Sequence, residues 1–473
     1  MGGALARIWL TAGGLWVGIT YGWSRGFAPP VLIAGLVAAC SLALRRRPFA
    51  RLVAIISVAV VLGAVGAGFR AQRVSPLEAM AHDVPSCILS GSVIEATGLG
   101  TLTAIRHLVC EGRVGLDRPG NVFLDIRGHP GGTVRAEGWL IPLTHDPFDV
   151  ARRRAGGDAA FAPTTIDVHP PQGGVFALAA SIRAGLERAT ASLDPRAAAL
   201  VHGLTLGDTD SLDPASVERF RRAGLAHLLA VSGTNVAIVL GTVAWAARRL
   251  PHKLRIAAGA MTLALFVLVV GPDPSVLRAA AMGGIGLIAL SMNRTAEPLY
   301  ALGLALIVLL GARPAMVGSV GLQLSAAATA GIVLWSGGLA RRLPLPGPLS
   351  VPLAVTLAAQ AGVAPILIGT FGELSLIAPV ANLLAVPAVA PATVLGIGAG
   401  LLGAAHPALG AAAAQPLAPL ASWILWVGDM CGAPAWAAAE VPKAVAWAIT
   451  VPLVAAARTA SRARHHGDRG AGR

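Results

Sequence analysis

Apolar residues recur along this chain in long runs separated by short polar stretches. A hydrocarbon core about 30 Å thick needs roughly 20 residues of helix to cross it. Runs of that order lie near 8–22, 29–44, 51–69, 223–247, 254–271, 275–292, 298–312, 315–335, 350–371, 376–404, 412–431 and 443–457. The pattern predicts a polytopic α-helical membrane protein of about 10–12 spans. Pro379, Pro387 and Pro391 interrupt 376–404, which leaves open one long span or a re-entrant piece followed by a helix.

Segment 70–222 alternates on a shorter period. Cys87 to Ala96, Thr101 to Cys110, Asn121 to Arg127 and Val134 to Leu143 read as strands, separated by glycine and proline turns at 98–100, 118–120 and 130–132. Several short strands in so small a space predict a small β-barrel or sandwich, with an OB-like barrel as one member of that class, inserted after the third span. Farther on, Val175 to Ser192 sets Phe176, Ala179, Ile182, Leu186 and Ala189 on one helical face. That face suits the membrane surface or an ordinary packing partner.

Composition narrows the class. The 473 residues are 55% hydrophobic and 13% charged, too apolar for a soluble enzyme. There are 37 Lys+Arg against 23 Asp+Glu, a net charge of +14, and the excess is unevenly placed. Segment 70–222 holds 16 Arg against 17 acidic residues; everything else carries 21 basic against 6 acidic. Lys and Arg resist translocation, so Arg45, Arg46, Arg47 and Arg51, then Arg248, Arg249, Lys253 and Arg255, then Arg294, then Arg341 and Arg342 mark cytoplasmic loops. Both termini are then cytoplasmic in the cell membrane and the barrel is extracytoplasmic. The positive charge is an orientation signal and says little about nucleic acid. The order predicted is N-terminal spans over 1–69, the barrel over 70–170, the amphipathic helix and linker over 171–222, a transmembrane domain over 223–457 and a basic tail over 458–473.

Chemistry-bearing residues are sparse. Four cysteines form no CxxC, and no GxxxxGK[ST] phosphate loop is present. Cys87 and Cys110 stand near opposite ends of the expected hairpin, where a disulfide and two buried thiols both remain open. Cys40 and Cys431 fall in spans. His82, His107, His129, His145, His169 and His202 are scattered without metal-ligand spacing, so neither a metal nor a cofactor is expected. Ser232 and His227 lie five residues apart, about 140° around a helix, which excludes a direct nucleophile and base pair.

Polar groups inside apolar helices are costly unless they pair or line a wet cavity. His227, Ser232, Asn235, Arg278, Gln323, Gln360 and Asn382 are therefore the candidate path residues, set against the alternative of glue between helices. Asp429 is similarly placed. For Arg278 the alternatives are a salt bridge to Asp273 or snorkelling to the interface.

Seven stretches together resemble the ComEC-type competence protein family, whose members form the inner-membrane channel of bacterial DNA uptake. They are Gly138–Leu140, Asp146–Arg153, Leu204–Asp208, Phe220–Val236, Ser275–Ala280, Gly321–Ser325 and Ala381–Pro387. The family commonly has His where this chain has Asn235, and an aromatic residue where it has Leu322. Many members add a metallo-β-lactamase-like domain after the spans; here the sequence ends in a basic tail, so no nuclease is expected of it. The resemblance implies a channel for single-stranded DNA, with no catalysis of its own. Membrane lipid, a separate DNA receptor and a cytosolic ATP-driven motor are the partners it implies. The alternative is a transporter or membrane scaffold for another anionic substrate using a competence-like bundle.

Overall fold

The computed structural model describes residues 8–14, 16 and 76–445, apart from 98–99, 111–115, 118–119, 127, 129, 145, 210 and 230. Most of the span expected at 8–22, those at 29–44 and 51–69 with Cys40, nearly all of 443–457 and the basic tail lie outside the described residues.

Helix α1 (Pro76–Ala81) leads into β1 (Ser86–Thr97), β2 (Gly100–Cys110), the two-residue β3 (Leu116–Asp117), β4 (Asn121–Leu124) and β5 (Thr133–Ile141). After helix α2 (Pro147–Arg154), β6 (Ala159–His169) completes the sheet. The ring order is β1–β5–β6–β4–β2, with β2 returning to β1, so the sheet closes into a five-stranded barrel with β3 as a flap on β2. All pairings are antiparallel except β4 with β6. This Greek-key barrel is of the OB type expected. Burial alternates strictly along β5, as period-two strands around a filled barrel require. Leu89, Leu108, Val122, Leu124, Leu140 and Phe161 fill the interior. Sequence pattern missed β6, because Pro163 demotes the run. The sheet accommodates Pro163 beside a register shift at Glu137 and Gly138. Cys87 and Cys110 sit directly opposite in the β1–β2 register, joined by a disulfide across a Cα separation of 4.0 Å.

Helices α3 (Gly174–Thr190), α4 (Pro195–Leu206) and α5 (Pro214–Arg222) follow. Of the expected apolar face of α3, Ala179, Ile182, Leu186 and Ala189 are buried against a helix far along the chain, while Phe176, with Val175 and Leu178 in the first turns, is exposed. The expected linker holds two capped helices. Asp194 accepts from the amides of Arg196 and Ala197, Asp213 accepts from that of Ser216, and proline follows each cap.

The remaining helices are α6 (Ala226–Leu229), α7 (Gly233–Ala246), α8 (His252–Val270), α9 (Pro274–Ser291), α10 (Pro298–Ala312), α11 (Val320–Ala340), α12 (Gly347–Phe371), α13 (Ala378–Ala405), α14 (Pro407–Ala414) and α15 (Leu417–Gly432). Among the described residues α8, α9, α11, α12 and α13 are long and apolar enough to cross a membrane, with the bent pair α14–α15 as a sixth. One open alternative is decided and one expectation changes. The run 376–404 is a single helix: Pro379 falls in the first turn, where its missing N–H costs nothing, and α13 continues through Pro387 and Pro391. Conversely, the run 223–247 is broken, because Gly224 takes φ +71° and Ser232 is extended between α6 and α7. A short two-stranded sheet, β7 (Glu373–Ser375) with β8 (Ala438–Glu440), ties the entry of α13 to the end of α15.

The core around α13 joins Leu186, Leu200, Leu204, Phe220, Leu225, Ala381, Ala385 and Ile424. There α3, α4, α14 and α15 pack on α13. Helices α7 to α10 pack mainly on one another, and α11 pairs with α12, where Gly331 and Gly362 let the two backbones touch.

Candidate functional site

Helix breaks inside an apolar region occur where backbone lines a cavity or is held by neighbours. The break between α6 and α7 is held from three sides. Ser275 at the start of α9 donates its hydroxyl to the Val231 carbonyl at 2.9 Å. Asn235 donates its side-chain amide to the Leu204 carbonyl at the end of α4, 2.8 Å away. Ser232, at the N-cap position of α7, turns its hydroxyl to Asn235 Oδ1 at 3.2 Å and makes no cap to the helix behind it.

Arg278 reaches the same point from α9. Its side chain is 5% exposed, with Nε donating to Ser325 Oγ at 2.9 Å and Nη1 donating to Thr329 Oγ1 at 3.0 Å on α11. Nη1 also lies 3.2 Å from Met282 Sδ. Nη2 points at Gly233, so closely that a Cβ there would collide with it. Among the described residues Arg278 has no carboxylate partner. The Asp273 pairing weighed from the sequence is not formed; the charge that acts on Asp273 is Arg183 of α3, whose guanidinium donates to the Val269 and Val270 carbonyls. Burial pushes the Asp273 carboxyl up, and Arg183 opposes that shift. Snorkelling is not adopted either, since the guanidinium points into the bundle.

A second polar knot lies on the other side of the break. Gln360 of α12 donates to the Ser375 carbonyl at 2.6 Å, and Ser375 donates its hydroxyl to the Arg222 carbonyl at 2.8 Å. Gly224 abuts Ser375 and Ala378. Asn382 is buried here, its amide given to the Ala378 carbonyl of its own helix at 2.8 Å. His227 stands between the knots. Its side chain is exposed. Ala226 and Thr234 are exposed on the same stretch.

The barrel meets the bundle near the start of α9. Glu95 on β1 pairs with Arg313 after α10 at 2.9 Å. Burial pushes the Glu95 carboxyl up, with Arg313 opposing.

Three of the recurrent stretches, 220–236, 275–280 and 321–325, therefore converge on Arg278, and 204–208 touches them through Leu204. A sequence model of the family described as Competence protein matches residues 204–464, which contain all of these contacts. The chain belongs to the Competence protein family. It is 32% identical over 211 residues to ComE operon protein 3 of Bacillus subtilis (strain 168), a match covering 43% of this chain and 27% of that protein. No solved structure matches.

Within this competence fold the seven path candidates divide. Arg278, Ser232 and Asn235 meet at one knot, and Gln360 and Asn382 belong to the other. Asn235, 3% exposed, is committed to holding the break, so it is turned away from any accessible surface. Gln323 is separate: its amide caps the short turn before α11 at the Val317 carbonyl, 3.2 Å away. Sequence reading missed Thr329 and the contact with Gly233, because both depend on which helices pair. It also passed over Arg196 and Arg219, which meet at Asp429 of α15 at 3.1 and 2.7 Å. A carboxylate in a span is a prompt to search for two such arginines. Among the described residues no His, Cys, Asp and Glu group could hold a metal. An apolar groove of about 830 Å³ between α8 and α9 carries almost no polar lining and lies apart from this chemistry.

Proposed function

We propose that this protein is a channel that passes single-stranded DNA across the cytoplasmic membrane during natural transformation. Its place in the competence family supports a role in DNA uptake. The observation that carries the finer reading is Arg278, a buried cation without a carboxylate partner among the described residues, set where three family stretches meet in an apolar bundle. An uncompensated charge there is costly, and such residues in membrane proteins mark substrate pathways.

The OB-type barrel lies extracytoplasmically on this reading, near the mouth formed by the start of α9, with both termini cytoplasmic. Its segment is close to neutral, with 16 Arg against 17 acidic residues, so it does not attract DNA by charge alone. Capture then falls to a separate receptor, and a cytosolic ATP-driven motor supplies the force. The role is transport, not catalysis.

Deleting the gene in a competent host and following end-labelled DNA into the cytoplasm tests this reading. Uptake should fall to background and return with the wild-type gene. Undiminished uptake in the deletion would reject it in favour of a transporter or scaffold for another anionic substrate.

A further inference from the structure

Helix α7 begins without a side-chain cap. Its first amides, those of Gly233 and Thr234, have no acceptor among the described residues, and the Ser232 hydroxyl, which donates to Asn235 Oδ1, does not cap them. An uncapped helix start concentrates about half a positive charge on such amides. Arg278 Nη2 is aimed at this end from α9, and it too has no hydrogen-bond partner among the described residues. Two positive groups facing each other in an apolar bundle repel, and nothing acidic among the described residues offsets them. Asp273, the nearest acid in sequence, makes no ion pair with Arg278.

The lining explains the approach. Gly233 carries no Cβ, which is what admits the guanidinium to the helix end. Ser325 and Thr329 take Nε and Nη1, fixing the plane of the fork and leaving Nη2 free to donate. Ala226, His227 and Thr234 on either side of the same break are exposed, so the break is reachable from the surface.

We propose that Arg278 Nη2 and the uncapped start of α7 form a binding site for one phosphate group, a stepping point for successive phosphodiesters of a transported strand. This rests on the channel reading above and adds the atom class that is recognised. Helix amides and an arginine fork together are a recurrent phosphate cradle. A single such point favours passage, because binding must be strong enough to replace hydration and weak enough to release.

The test uses the full chain in nanodiscs of neutral lipid, with thermal unfolding followed in inorganic phosphate and in chloride of equal ionic strength. Wild type should be stabilised by phosphate over chloride in a saturable way. Arg278→Gln should weaken that apparent affinity about tenfold or more, and Arg278→Lys less. Gly233→Ala, which leaves the charge in place but pushes Nη2 away, should weaken it too, so the outcome does not depend on one variant folding. Absence of a phosphate-specific shift in wild type, or an unchanged shift in both Arg278→Gln and Gly233→Ala, would overturn the proposal. A lost shift together with wild-type uptake of labelled DNA by Arg278→Gln would keep the phosphate site and sink its role in the channel.

Discussion

Helices α3, α13, α14 and α15 and helices α7 to α12 draw on the same alphabet of alanine, glycine, leucine and valine, yet they pack in opposite ways. In α13, 44% of the span is buried within the protein, against 11–22% in α8, α9, α11 and α12. Glycines bring backbones together in both groups, Gly185 of α3 against Gly400, Gly403 and Ala404 of α13 and Gly331 of α11 against Ala358 and Gly362 of α12, so the difference lies in how much of each helix is enclosed. Two polar side chains of the first group are paired with α4 and α5, Thr190 with His202 at 2.8 Å and Asp429 with Arg196 and Arg219, while the buried Thr393 hydroxyl of α13 has no partner among the described residues. The second group is open, and there Arg278 is held only by neutral partners. The loose group, with its broken helix, can admit water and an anion beside it. On the channel reading proposed above, the first region is the frame and the second the path.

The strongest way to break this comparison is to add the same methyl group to each region. Gly185→Ala places a Cβ against the backbone of α13, and relief requires two helices to move apart. It should destabilise the protein by about 2–3 kcal/mol. Gly284→Ala in α9 meets nothing within 4 Å and should be neutral or stabilise by about 0.5–1 kcal/mol through reduced chain entropy. Thermal midpoints in one detergent measure both. Equal shifts would mean that the two groups do not differ in packing.

A smaller effect tests whether the frame's charges belong to it alone. Asp429→Asn keeps the shape but leaves Arg196 and Arg219 without a counter-charge. The pair is partly exposed, with Asp429 at 34%, so the expected loss is about 1–2 kcal/mol rather than the value for a fully buried ion pair. Hydrogen exchange should quicken in α4, α5 and α15 while α8 and α9 keep their rates. Uniform quickening would show one cooperative unit where the packing implies two.

How much of this was legible depends on whether a feature is local. The four expected strands showed themselves by alternation, and the apolar runs showed most spans. Helices α4 and α5 were hidden only because no long apolar run contains them; the Asp-Pro pairs at 194–195 and 213–214 were the visible signal. The break at Ser232 left no trace, since Val231, Ser232 and Gly233 fit an apolar run as well as an interruption. Arg278 stood out as a charge in such a run, but its partners Ser325 and Thr329 lie 47 and 51 residues away on a helix whose pairing no local pattern encodes. Asn235 shows the converse. Its polarity was visible and its direction was not, so a group that holds the break looked the same as one that faces a path.

The smallest expected effect concerns the tie between the barrel and the open group. Glu95 is the more enclosed partner, its side chain 15% exposed against 47% for Arg313, and burial sets its folded pKa above the unfolded value. The native state therefore holds the Glu95 proton more tightly than the unfolded chain does. The resulting stabilisation is complete below the unfolded pKa and is lost as pH rises through the folded one. Barrel docking should thus be firmer near pH 4 than near pH 8, by about 1 kcal/mol or less given the exposure of Arg313. Glu95→Gln should flatten this dependence, and Arg313→Ala should steepen it by removing the only lowering influence named on the carboxyl. Hydrogen exchange along β1 and β2, followed against pH in the three proteins, measures it. Protection that rises with pH would mean that Arg313 dominates burial at Glu95. The barrel would then be tied to the path group by an ion pair, with the same hold at neutral pH that the frame has on Asp429.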